Sequence, residues 1–274
     1  MKSSVIIPVY NQYESLLYTL KGFSNQKDIN KNDFELIIID DGSDDELHDL
    51  NENDLEKMET EGLLIKVIHQ SNMGRAKARN IGVENAESDL LIFCDGDRVP
   101  DEKFIIEHVK MHENMDCIVV GESTDYFGNL KYLYEGNWDK IKQLSRNGKY
   151  INKIEKFYEL SNPTLNKNRW MTLLIGNASI KKKIFIEGGK FNEKFKTWGF
   201  EHFELGIRMA QIGYPFCYNK RAKNYHIPHK REKNFYRTAI ENNIKILNEM
   251  YTNRNFNNMI RILLEEDNIN DFGE

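Results

Sequence analysis

Two carboxylates that could hold a divalent cation follow an apolar stretch at Asp89–Cys94, in the order Asp95-Gly96-Asp97. Side chains of an extended chain alternate, so Asp95 and Asp97 can point the same way, and Gly96 lets another group approach the backbone. Two carboxylates that point the same way repel each other unless a cation lies between them. Hard oxygen ligands favour Mg²⁺ or Mn²⁺. The alternative is a polar turn, because Asp and Gly are common turn residues.

A second acidic pair, Asp40-Asp41, ends the apolar run that begins at Phe34 and precedes Gly42-Ser43. Buried strands rarely finish on two acids unless those acids meet a ligand or cap a helix. An acid here could accept hydrogen bonds from a uracil N–H or a ribose hydroxyl. A cap on the following helix is an equally good interpretation.

A third segment, Asn72–Asn80 (NMGRAKARN), is basic. Gly74 precedes a predicted helix in which Arg75 and Arg79 are four residues apart, so both guanidiniums lie on one face. A helix N-terminus with such cations suits a diphosphate. The alternative is a solvated basic stripe.

Two later segments contain groups that could transfer protons or bind a metal. Trp198–Glu204 (WGFEHFE) places Glu201 and His202 at a helix start, where either could act as a general base, with Trp198 free to stack on a sugar. His226 and His229, in YHIPHKR, could complete a metal site and clamp phosphates. Lone histidines are more often plain polar residues, so this second interpretation depends on the other segments.

Repeated strand–helix–strand units would position these residues. Near-continuous apolar runs, typical of parallel strands covered on both faces, alternate with amphipathic stretches, which predicts a doubly wound sheet. Ligands bind outside the carboxyl ends of such strands, where the acids lie. The predicted strands are Ser4–Tyr10, Phe34–Asp41, Leu63–His69 and Asp89–Cys94, and the predicted helices are Glu14–Asn25, Asp44–Glu59 and Arg75–Ala86.

The second half of the chain is less regular. Residues 121–169 are weakly periodic and predict a long excursion with one helix. Order returns at Trp170–Ile180, a helix is expected from Phe200 or Glu201, and Asn234–Leu264 is helical in pattern. We therefore predict one domain over residues 1–230, with halves 1–115 and 116–230, and a C-terminal helical extension over 231–274.

Composition limits the class of protein. The 274 residues, 40% hydrophobic and 30% charged, suffice for one α/β domain. A net charge of −5 argues against nucleic-acid binding. The three cysteines are too scattered for a zinc site or a disulfide framework. No apolar run reaches the ~20 residues of a membrane span and the start lacks a signal peptide, so we expect a cytoplasmic protein. Basic residues within Lys220–Arg237 leave peripheral contact at the inner face of a membrane as an alternative.

These segments, in this order, resemble the family 2 glycosyltransferases of GT-A fold. The matching stretches are VIIPVYNQ, ELIIIDDGSDD and NMGRAKARNIGVENAESDLLIFCDGDRVP, while GNASIKKKIFIEGGKFNEKFKTWGFEHFELGIRMAQIGYPFCY and HIPH are similar to galactosyltransferase-type members. The resemblance covers about residues 3–230. It implies an α/β fold: a Rossmann-like, doubly wound, mostly parallel sheet flanked by helices, here with a C-terminal helical extension.

The resemblance also implies roles for individual positions. Asp97 matches the direct metal ligand and His226 a further ligand, which favours Mn²⁺ over Mg²⁺. Tyr10 would stack on uracil and Asp41 would read its N–H. The positions implied to bind the nucleotide or donor sugar are Pro8, Tyr10, Asn11, Asp40, Asp41, Asn72, Gly74, Arg79, Asp95, Gly96, Gly176, Asn177, Trp198 and His229.

One position departs from the family pattern. Inverting relatives carry W-G-x-E-D with the aspartate as base, whereas this chain has His202 in that place, so the base is Glu201 or His202. The implied reaction moves a sugar from UDP-Gal, UDP-GalNAc or UDP-Glc to a hydroxyl of a glycan, lipid-linked or peptide acceptor, with inversion expected. A retaining transferase, an inactive nucleotide-sugar-binding module and a nucleotidyltransferase are the alternatives. Nothing in the sequence predicts the oligomeric state.

Overall fold

A computed structural model describes residues 2–44, 58–60, 62–160, 166–229, 234–265 and 267–272. Within them the chain forms one sheet flanked by helices, which confirms the predicted α/β fold, although several of its strand pairs are antiparallel. The strands follow one another in the order Leu64–His69 (β3), Phe34–Asp40 (β2), Ser3–Val9 (β1), Leu90–Cys94 (β4), Asn177–Lys181 (β8), Ile118–Tyr126 (β6), Phe216–His226 (β9) and Arg98–Pro100 (β5), and Ser145–Asn147 (β7) pairs with β6. Most of the predicted helix Asp44–Glu59 lies outside the described residues, and residues 58–60 are helical.

The N-terminal half contains the four predicted strands: β1 Ser3–Val9, β2 Phe34–Asp40, β3 Leu64–His69 and β4 Leu90–Cys94. They pair in parallel in the order β3-β2-β1-β4. All residues of β1, β2 and β4 are buried. The prediction that β3 is buried on both faces was wrong. Its residues are exposed or half-buried, because β3 is an edge strand of the sheet.

Two predicted helices connect these strands, and a third follows β4. They are α1 (Tyr13–Ser24), α2 (Arg75–Glu84) and α3 (Phe104–His112). Helix α2 lies so close to β1 that a Cβ atom on Gly82 would stand 2.5 Å from Ile6 Cγ2. Helix α1 lies equally close to the strand after β4, because a Cβ on Gly22 would stand 2.7 Å from Pro100 Cδ. Glycine at these helical positions therefore sets the depth at which both helices pack.

The second half extends the sheet with mixed pairing. Strand β8 (Asn177–Lys181) is antiparallel to β4 and to β6 (Ile118–Tyr126), and β9 (Phe216–His226) is parallel to β6. Strand β5 (Arg98–Pro100) pairs antiparallel with β9 at the far end of the order. Only residues 95–97 separate β4 from β5 in the sequence, yet β5 pairs with β9. The sheet therefore curls, so that its last strand comes close to the end of β4.

The prediction of a long irregular excursion with one helix over residues 121–169 was wrong. It contains the end of β6, helices α4 (Leu130–Glu135), α5 (Trp138–Gln143) and α6 (Lys149–Leu160), strand β7 (Ser145–Asn147) and the start of a 3₁₀ turn at Arg169–Thr172. The side chains of Asn129 and Asn137 cap α4 and α5 by accepting backbone N–H bonds. Helices α4 and α5 are six residues long and too short to show periodicity, so their caps are the sequence signal that was overlooked.

The remaining helices are α7 (Lys182–Glu187), α8 (Glu201–Ile212), α9 (Phe235–Met250) and α10 (Met259–Leu264). Helix α8 begins at Glu201, as predicted. Ile240 and Leu247 of α9 belong to the same buried cluster as Ile6 and Phe93 of the sheet. The two C-terminal helices thus complete the main core, and the predicted boundary at residue 230 lies outside the described residues.

Membrane spans and cysteine pairs are absent from the described parts of the chain. There, no helix combines the length and the apolar character needed to cross a bilayer. Cys94, Cys117 and Cys217 are free thiols, as expected from their spacing.

Candidate active site

A buried arginine joins two acids from distant parts of the chain. Arg79 of α2 is 1% exposed and donates from Nη1 to Glu201 Oε1 (2.6 Å) and from Nη2 to Asp95 Oδ1 (2.7 Å). Asp95 follows β4 and Glu201 opens α8. The guanidinium therefore fixes the end of the sheet against the start of α8.

The charges in this centre hold both acids ionised. Burial alone would raise the pKa of Asp95, but Arg79, Arg98 and Arg75 together keep it well below its usual range. Burial likewise opposes ionisation of Glu201, yet His202, Arg79 and Arg75 lower its pKa to about 2. Glu201 is consequently a carboxylate at neutral pH and a weak proton acceptor.

Several polar atoms around this centre have no hydrogen-bond partner among the described residues, although they are buried: Arg79 Nε, Glu201 Oε2 and His202 Nδ1. His202 Nδ1 lies 3.6 Å from Glu201 Oε1. All three residues line a cavity of about 340 Å³, which the apolar residues Ile151, Leu174 and Leu263 also line. Unpaired buried polar atoms are uncommon in native proteins and, beside a cavity, indicate a ligand site.

A second cluster gathers one acid and two histidines. Asp97 Oδ2 lies 3.7 Å from His226 Nε2 and 3.5 Å from His229 Nδ1. Pairing between β5 and β9 builds the cluster, since Arg98 stands opposite His226 and the Ile227 N–H donates to the Asp97 carbonyl at 2.9 Å. One nitrogen or oxygen from each of the three side chains falls within 4.8 Å of the others.

This donor set fits a divalent transition metal. One carboxylate and two imidazoles are ligands that Mn²⁺ accepts, whereas Mg²⁺ prefers oxygen. Gln12 Nε2 donates to Asp97 Oδ2 at 3.0 Å and holds the carboxylate in place. Within the described ranges no other group of three or more His, Cys, Asp or Glu side chains comes this close.

A second cavity, of about 750 Å³, lies at the carboxyl ends of β1 and β2. Asp41 lines this cavity, and its carboxylate accepts hydrogen bonds from Gln70 Nε2 and from the backbone N–H groups of Met73 and Gly74. Sequence-predicted residues that line it are Pro8, Tyr10, Asn11, Asp41, Asn72, Gly74, Asp95, Asp97, Trp198 and His229. The structure thus brings together most of the residues that were expected to bind a nucleotide.

The structure corrects the placement expected for three residues. Asp40 lines neither cavity; its carboxylate accepts the Ser43 N–H and pairs with His69 Nδ1, which stabilises the turn after β2. Asn177 is fully buried in the sheet and donates to the carbonyls of Glu122 and Ala222. Gly96 packs against Val9 and lines neither cavity. Gly176, the residue before Asn177, does line the 340 Å³ cavity.

Trp198 borders both cavities. Its ring meets that of Tyr236 edge-to-face at 4.9 Å, and Asn243 of α9 donates to its carbonyl at 2.9 Å. The following residues, Gly199 and Phe200, have positive φ angles of 84° and 74°. Helix α9 therefore anchors the bend that delivers Glu201 and His202.

Three residues of the site were missed by sequence reasoning: Gln12, Arg98 and Asp125. Arg98 Nε lies 3.5 Å from Asp95 Oδ2, and its place directly after Asp97 was the available signal. Asp125 Oδ1 accepts from His226 Nδ1 at 2.7 Å. No sequence signal marks Asp125, because its position depends on the register between β6 and β9.

A family model decides the identity of the domain. The model for glycosyl transferase family 2 matches residues 4–186, about two thirds of the chain. The chain belongs to this family. Its α/β domain is accordingly a glycosyltransferase domain.

Curated relatives of this glycosyltransferase agree with the family assignment. An uncharacterized glycosyltransferase, YfnE, of Bacillus subtilis (strain 168) is 29% identical over 262 residues, spanning 84% of this chain and 65% of the relative. A chondroitin synthase of Escherichia coli is 26% identical over 242 residues, spanning 81% of this chain and 34% of the relative. The chain therefore spans between about a third and two thirds of the length of these two relatives.

Solved structures show the same GT-A fold. S. aureus TarS 1-349 in complex with UDP-GlcNAc superposes with a TM-score of 0.62 at 18% identity, covering 97% of this glycosyltransferase and 76% of TarS 1-349. GalNAc-T7 with UDP, GalNAc and Mn²⁺ gives a TM-score of 0.60 at 17% identity, covering 88% of this chain and 48% of the other.

Proposed function

We propose that this glycosyltransferase moves a sugar from a UDP-sugar to an acceptor hydroxyl with the help of a divalent ion and with inversion at the anomeric carbon. One observation carries the proposal: Asp97 and His229, two members of the Asp97–His226–His229 cluster, line the same cavity as Tyr10 and Asp41. A metal site beside a nucleotide-sized cavity is what a sugar diphosphate requires.

Contacts to the nucleotide follow from the cavity wall. Tyr10 is 49% exposed there and offers its ring to a base. Asp41 already accepts three hydrogen bonds, but a carboxylate has lone pairs for about four, so one remains for a uracil N–H. The complexes of TarS 1-349 with UDP-GlcNAc and of GalNAc-T7 with UDP and GalNAc support a uridine nucleotide.

Cationic groups surround the place proposed for the diphosphate. Asp97 and His226 would hold Mn²⁺ or Mg²⁺, and the Mn²⁺ named with GalNAc-T7 supports the former. When bound, the ion would offset the negative charge that develops on the departing UDP. Arg75, at the first turn of α2, borders both cavities and adds positive charge between them.

His202 is proposed as the general base. Its neighbour Glu201 has a pKa of about 2 and is paired with Arg79, so Glu201 positions other groups and does not accept the proton. As the bond from the anomeric carbon to the diphosphate breaks, the acceptor oxygen bonds to that carbon and its proton passes to the imidazole. Attack from the face opposite the leaving group gives inversion.

The acceptor and the donor sugar are proposed by class. We propose galactose, N-acetylgalactosamine or glucose as the sugar transferred. The acceptor is a glycan, in free, lipid-linked or peptide-linked form, and the similarity to a chondroitin synthase supports the glycan. The apolar wall of the 340 Å³ cavity, which includes Ile151, Leu174 and Leu263, is the surface against which an acceptor would lie.

The test measures UDP release from UDP-Gal, UDP-GalNAc, UDP-Glc and UDP-GlcNAc in the presence of Mn²⁺. The first measurement contains no acceptor and follows slow hydrolysis of the donor by water, and the second adds candidate acceptors. Asp97→Ala should abolish metal-dependent release, whereas Asp116→Ala should behave as the wild type, because Asp116 pairs with Lys181 and Lys183 and borders neither cavity. Near-normal turnover by Asp97→Ala would refute the proposal. NMR of the product distinguishes inversion from retention.

A further inference from the structure

We infer that residues 127–149, the segment that contains α4, α5 and β7, dock on the surface of an anionic phospholipid bilayer. The docking is independent of the reaction. Its consequence is that the acceptor is a lipid-linked glycan, and this consequence rests on the proposed function. The 340 Å³ cavity proposed for the acceptor would then lie close to the headgroups of the bilayer.

The segment exposes apolar side chains that a folded protein usually buries. Phe127 is 63% exposed, Tyr134 52% and Leu144 37%. They are three of the ten large hydrophobic side chains that are exposed within the described ranges, although the segment has only 23 residues, and Phe127 is the most exposed of the ten. Single exposed apolar residues are normal, whereas a group of them indicates a binding surface.

Phe127 and Leu144 are neighbours where the pairing between β6 and β7 ends. The Phe127 N–H donates to the Leu144 carbonyl at 2.9 Å, one step beyond the paired residues Tyr126 and Ser145. Leu144 also packs on the backbone of Gly128, because a Cβ atom there would stand 2.7 Å from Leu144 Cδ1. Hydrogen-bonded backbone therefore holds both exposed side chains at a fixed place beyond the strands.

The same segment is basic in an acidic chain. It has five basic and two acidic side chains, a net charge of +3, whereas the whole chain has a net charge of −5. Lys140, Lys142 and Arg146 are exposed and pair with no carboxylate of the described residues. The Leu144 N–H donates to the Lys140 carbonyl at 3.0 Å, so cations and an apolar side chain lie together at the end of α5. Apolar side chains enter a bilayer interface while cations meet its phosphate groups.

The basic residues for which the sequence suggested membrane contact, within Lys220–Arg237, are used differently. Lys220 pairs with Glu155 at 2.9 Å, and Lys223 pairs with Glu122. Their positive charge is already balanced by these carboxylates. The cations of the α5–β7 region are not balanced in this way, which favours that region as the contact surface.

The docking surface continues into the proposed acceptor site. Arg146 of β7 stands opposite Asp125 of β6, and Asp125 lines the 340 Å³ cavity. Phe127 is two residues beyond Asp125, a distance of about 7 Å along a strand. Gly148, two residues beyond Arg146, also lines the cavity. A glycan attached to a lipid headgroup would therefore need to project only a short way from the bilayer to reach the cavity.

An acidic glycan is the other partner that these cations could bind. Sugars stack on aromatic rings, so Phe127 could serve such a partner. Leu144, by contrast, gains nothing from a polar glycan, whereas both side chains lose contact with water in the interface of a bilayer. The bilayer is therefore the partner that uses the whole surface.

The experiment measures co-flotation of the full chain with vesicles, without donor and without acceptor. Vesicles of phosphatidylcholine are compared with vesicles of equal parts phosphatidylcholine and phosphatidylglycerol. We expect binding to the anionic vesicles that high salt weakens. Lys140→Gln and Lys142→Gln should each weaken it about 5-fold. Phe127→Ser should weaken it ~10-fold, because an apolar side chain then no longer leaves water.

Phe127→Trp reports whether this surface enters the bilayer. The fluorescence that this variant adds to that of the wild type should move to shorter wavelength with anionic vesicles, and brominated phosphatidylcholine in them should quench it. Ile212→Trp, at the end of α8 and 45% exposed, should show neither effect.

Matched controls remove comparable groups outside the segment. Lys183→Gln removes an exposed cation, which pairs with Asp116, and Ile212→Ser removes an exposed apolar side chain. Both variants should bind anionic vesicles as the wild type does. Circular dichroism verifies that every variant is folded.

The outcomes separate the docking from the reaction. A wild type that does not float with anionic vesicles, or binding that none of the segment variants weakens, overturns the inference. Binding that Phe127→Ser leaves unchanged and that soluble chondroitin sulfate displaces identifies a glycan surface and overturns it as well. Vesicle binding with the expected losses supports the docking even if no UDP-sugar is turned over, and in that case only the proposed transfer reaction fails.

The acceptor is tested once a donor has been found. Phe127→Ser should lower the rate with a lipid-linked saccharide in anionic vesicles and leave the rate with the same saccharide in solution unchanged. Equal rates of the variant and the wild type on the vesicles would overturn the assignment of a lipid-linked acceptor.

Discussion

At the scale of single residues, the two adjacent groups at the start of α8 have different chemistry. Glu201 Oε1 is held by Arg79 at 2.6 Å, and the low pKa of Glu201 means that it binds a proton only in strong acid. His202 has a buried Nδ1 without a hydrogen-bond partner in the described structure and faces the 340 Å³ cavity. We therefore propose the residue that departs from the family pattern, His202, as the proton acceptor.

Replacing His202 tests this assignment. His202→Ala should lower kcat about 10²–10⁴-fold with little change in KM for the donor, because proton transfer is lost while the nucleotide contacts stay. His202→Asp should restore much of the rate and extend activity to lower pH, since a carboxylic acid releases its proton at lower pH than an imidazolium. Initial rates of UDP release across pH 4–9 would measure both effects.

A structural role for His202 would give a different pattern. His202→Asp would then fail to restore kcat, and the acid limb of its pH profile would coincide with that of the wild type. Glu201→Gln provides the companion measurement. This variant should lose activity through misplacement of Arg79 and His202, without a shift of the acid limb toward lower pH.

The sequence predicted correctly those site residues that belong to a short sequence motif. Asp97 and His226 come from such motifs, and the structure places them 3.7 Å apart. Asp40 and Asn177 occupy motif positions too, but their side chains are used inside the fold. Asp125 has no motif at all. Which polar side chains face a cavity depends on strand register and side-chain packing, and these are not visible in residue spacing.

At the scale of elements, the predicted parallel strands are correct because each is a short apolar run with a clear end. Strand β5 was not predicted, since three residues, Arg98–Pro100, carry too little pattern. Its pairing with β9 nevertheless brings Asp97 to His226. The element that assembles the Asp97–His226–His229 cluster is therefore one that only the folded sheet reveals.

Helix α3 is linked to β8 through two buried histidines. His108 and His112 both contact the Ser179 hydroxyl at 2.8 Å. Burial lowers the pKa of His108 to about 3, and burial together with the positive charge of Lys181 lowers that of His112 to about 4. Both imidazoles are neutral in the folded protein at pH 5, whereas the unfolded chain protonates them near pH 6.5.

This linkage predicts a loss of stability in mild acid. Below about pH 6.5 the unfolded state binds protons that the folded state excludes, so each histidine lowers the free energy of unfolding by ~1.4 kcal/mol per pH unit. For His112 the loss continues until pH falls to about 4. His112→Gln should make the slope between pH 6 and 5 shallower by about 1.4 kcal/mol per pH unit, as measured by urea unfolding.

Ser179→Ala separates the proton effect from the hydrogen bond. It removes the same contact but keeps both imidazoles, so it should lower stability at pH 7 and retain a steep dependence on pH. An unchanged slope in His112→Gln would contradict the linkage. The slope that remains in that variant belongs to His108 and to the carboxylates.

At the scale of the whole molecule, the C-terminal helices are part of the glycosyltransferase core. Their periodic sequence predicted helices correctly, but periodicity does not show which surface a helix covers. Lys153 of α6 donates to the carbonyls of Ile262 and Glu265 around the end of α10. The apolar residues of this region that lie in the main core are Ile240, Ile244, Leu247, Phe256, Met259, Ile262, Ile269 and Phe272.

The same helices support the active site. Asn243 of α9, fully buried, donates to the carbonyls of Trp198 and Gly199. Gly199 and Phe200, which have positive φ angles, form the bend that precedes Glu201 and His202. Loss of α9 would therefore release the segment that places the proposed base, in addition to exposing the core.

Truncation of the chain after residue 233 tests whether the domain can fold without these helices. Fully burying one large apolar side chain is worth about 1.5–3 kcal/mol, and eight such side chains leave the core, so the loss is at least comparable with the ~5–15 kcal/mol by which domains are stable. We expect the truncated chain to bind a hydrophobic dye and to show no cooperative urea transition. A control truncation that removes only residues 273–274 should unfold cooperatively near the wild-type midpoint. If the chain truncated after residue 233 instead unfolds cooperatively at that midpoint, the C-terminal helices are an independent extension, as the division at residue 230 predicts.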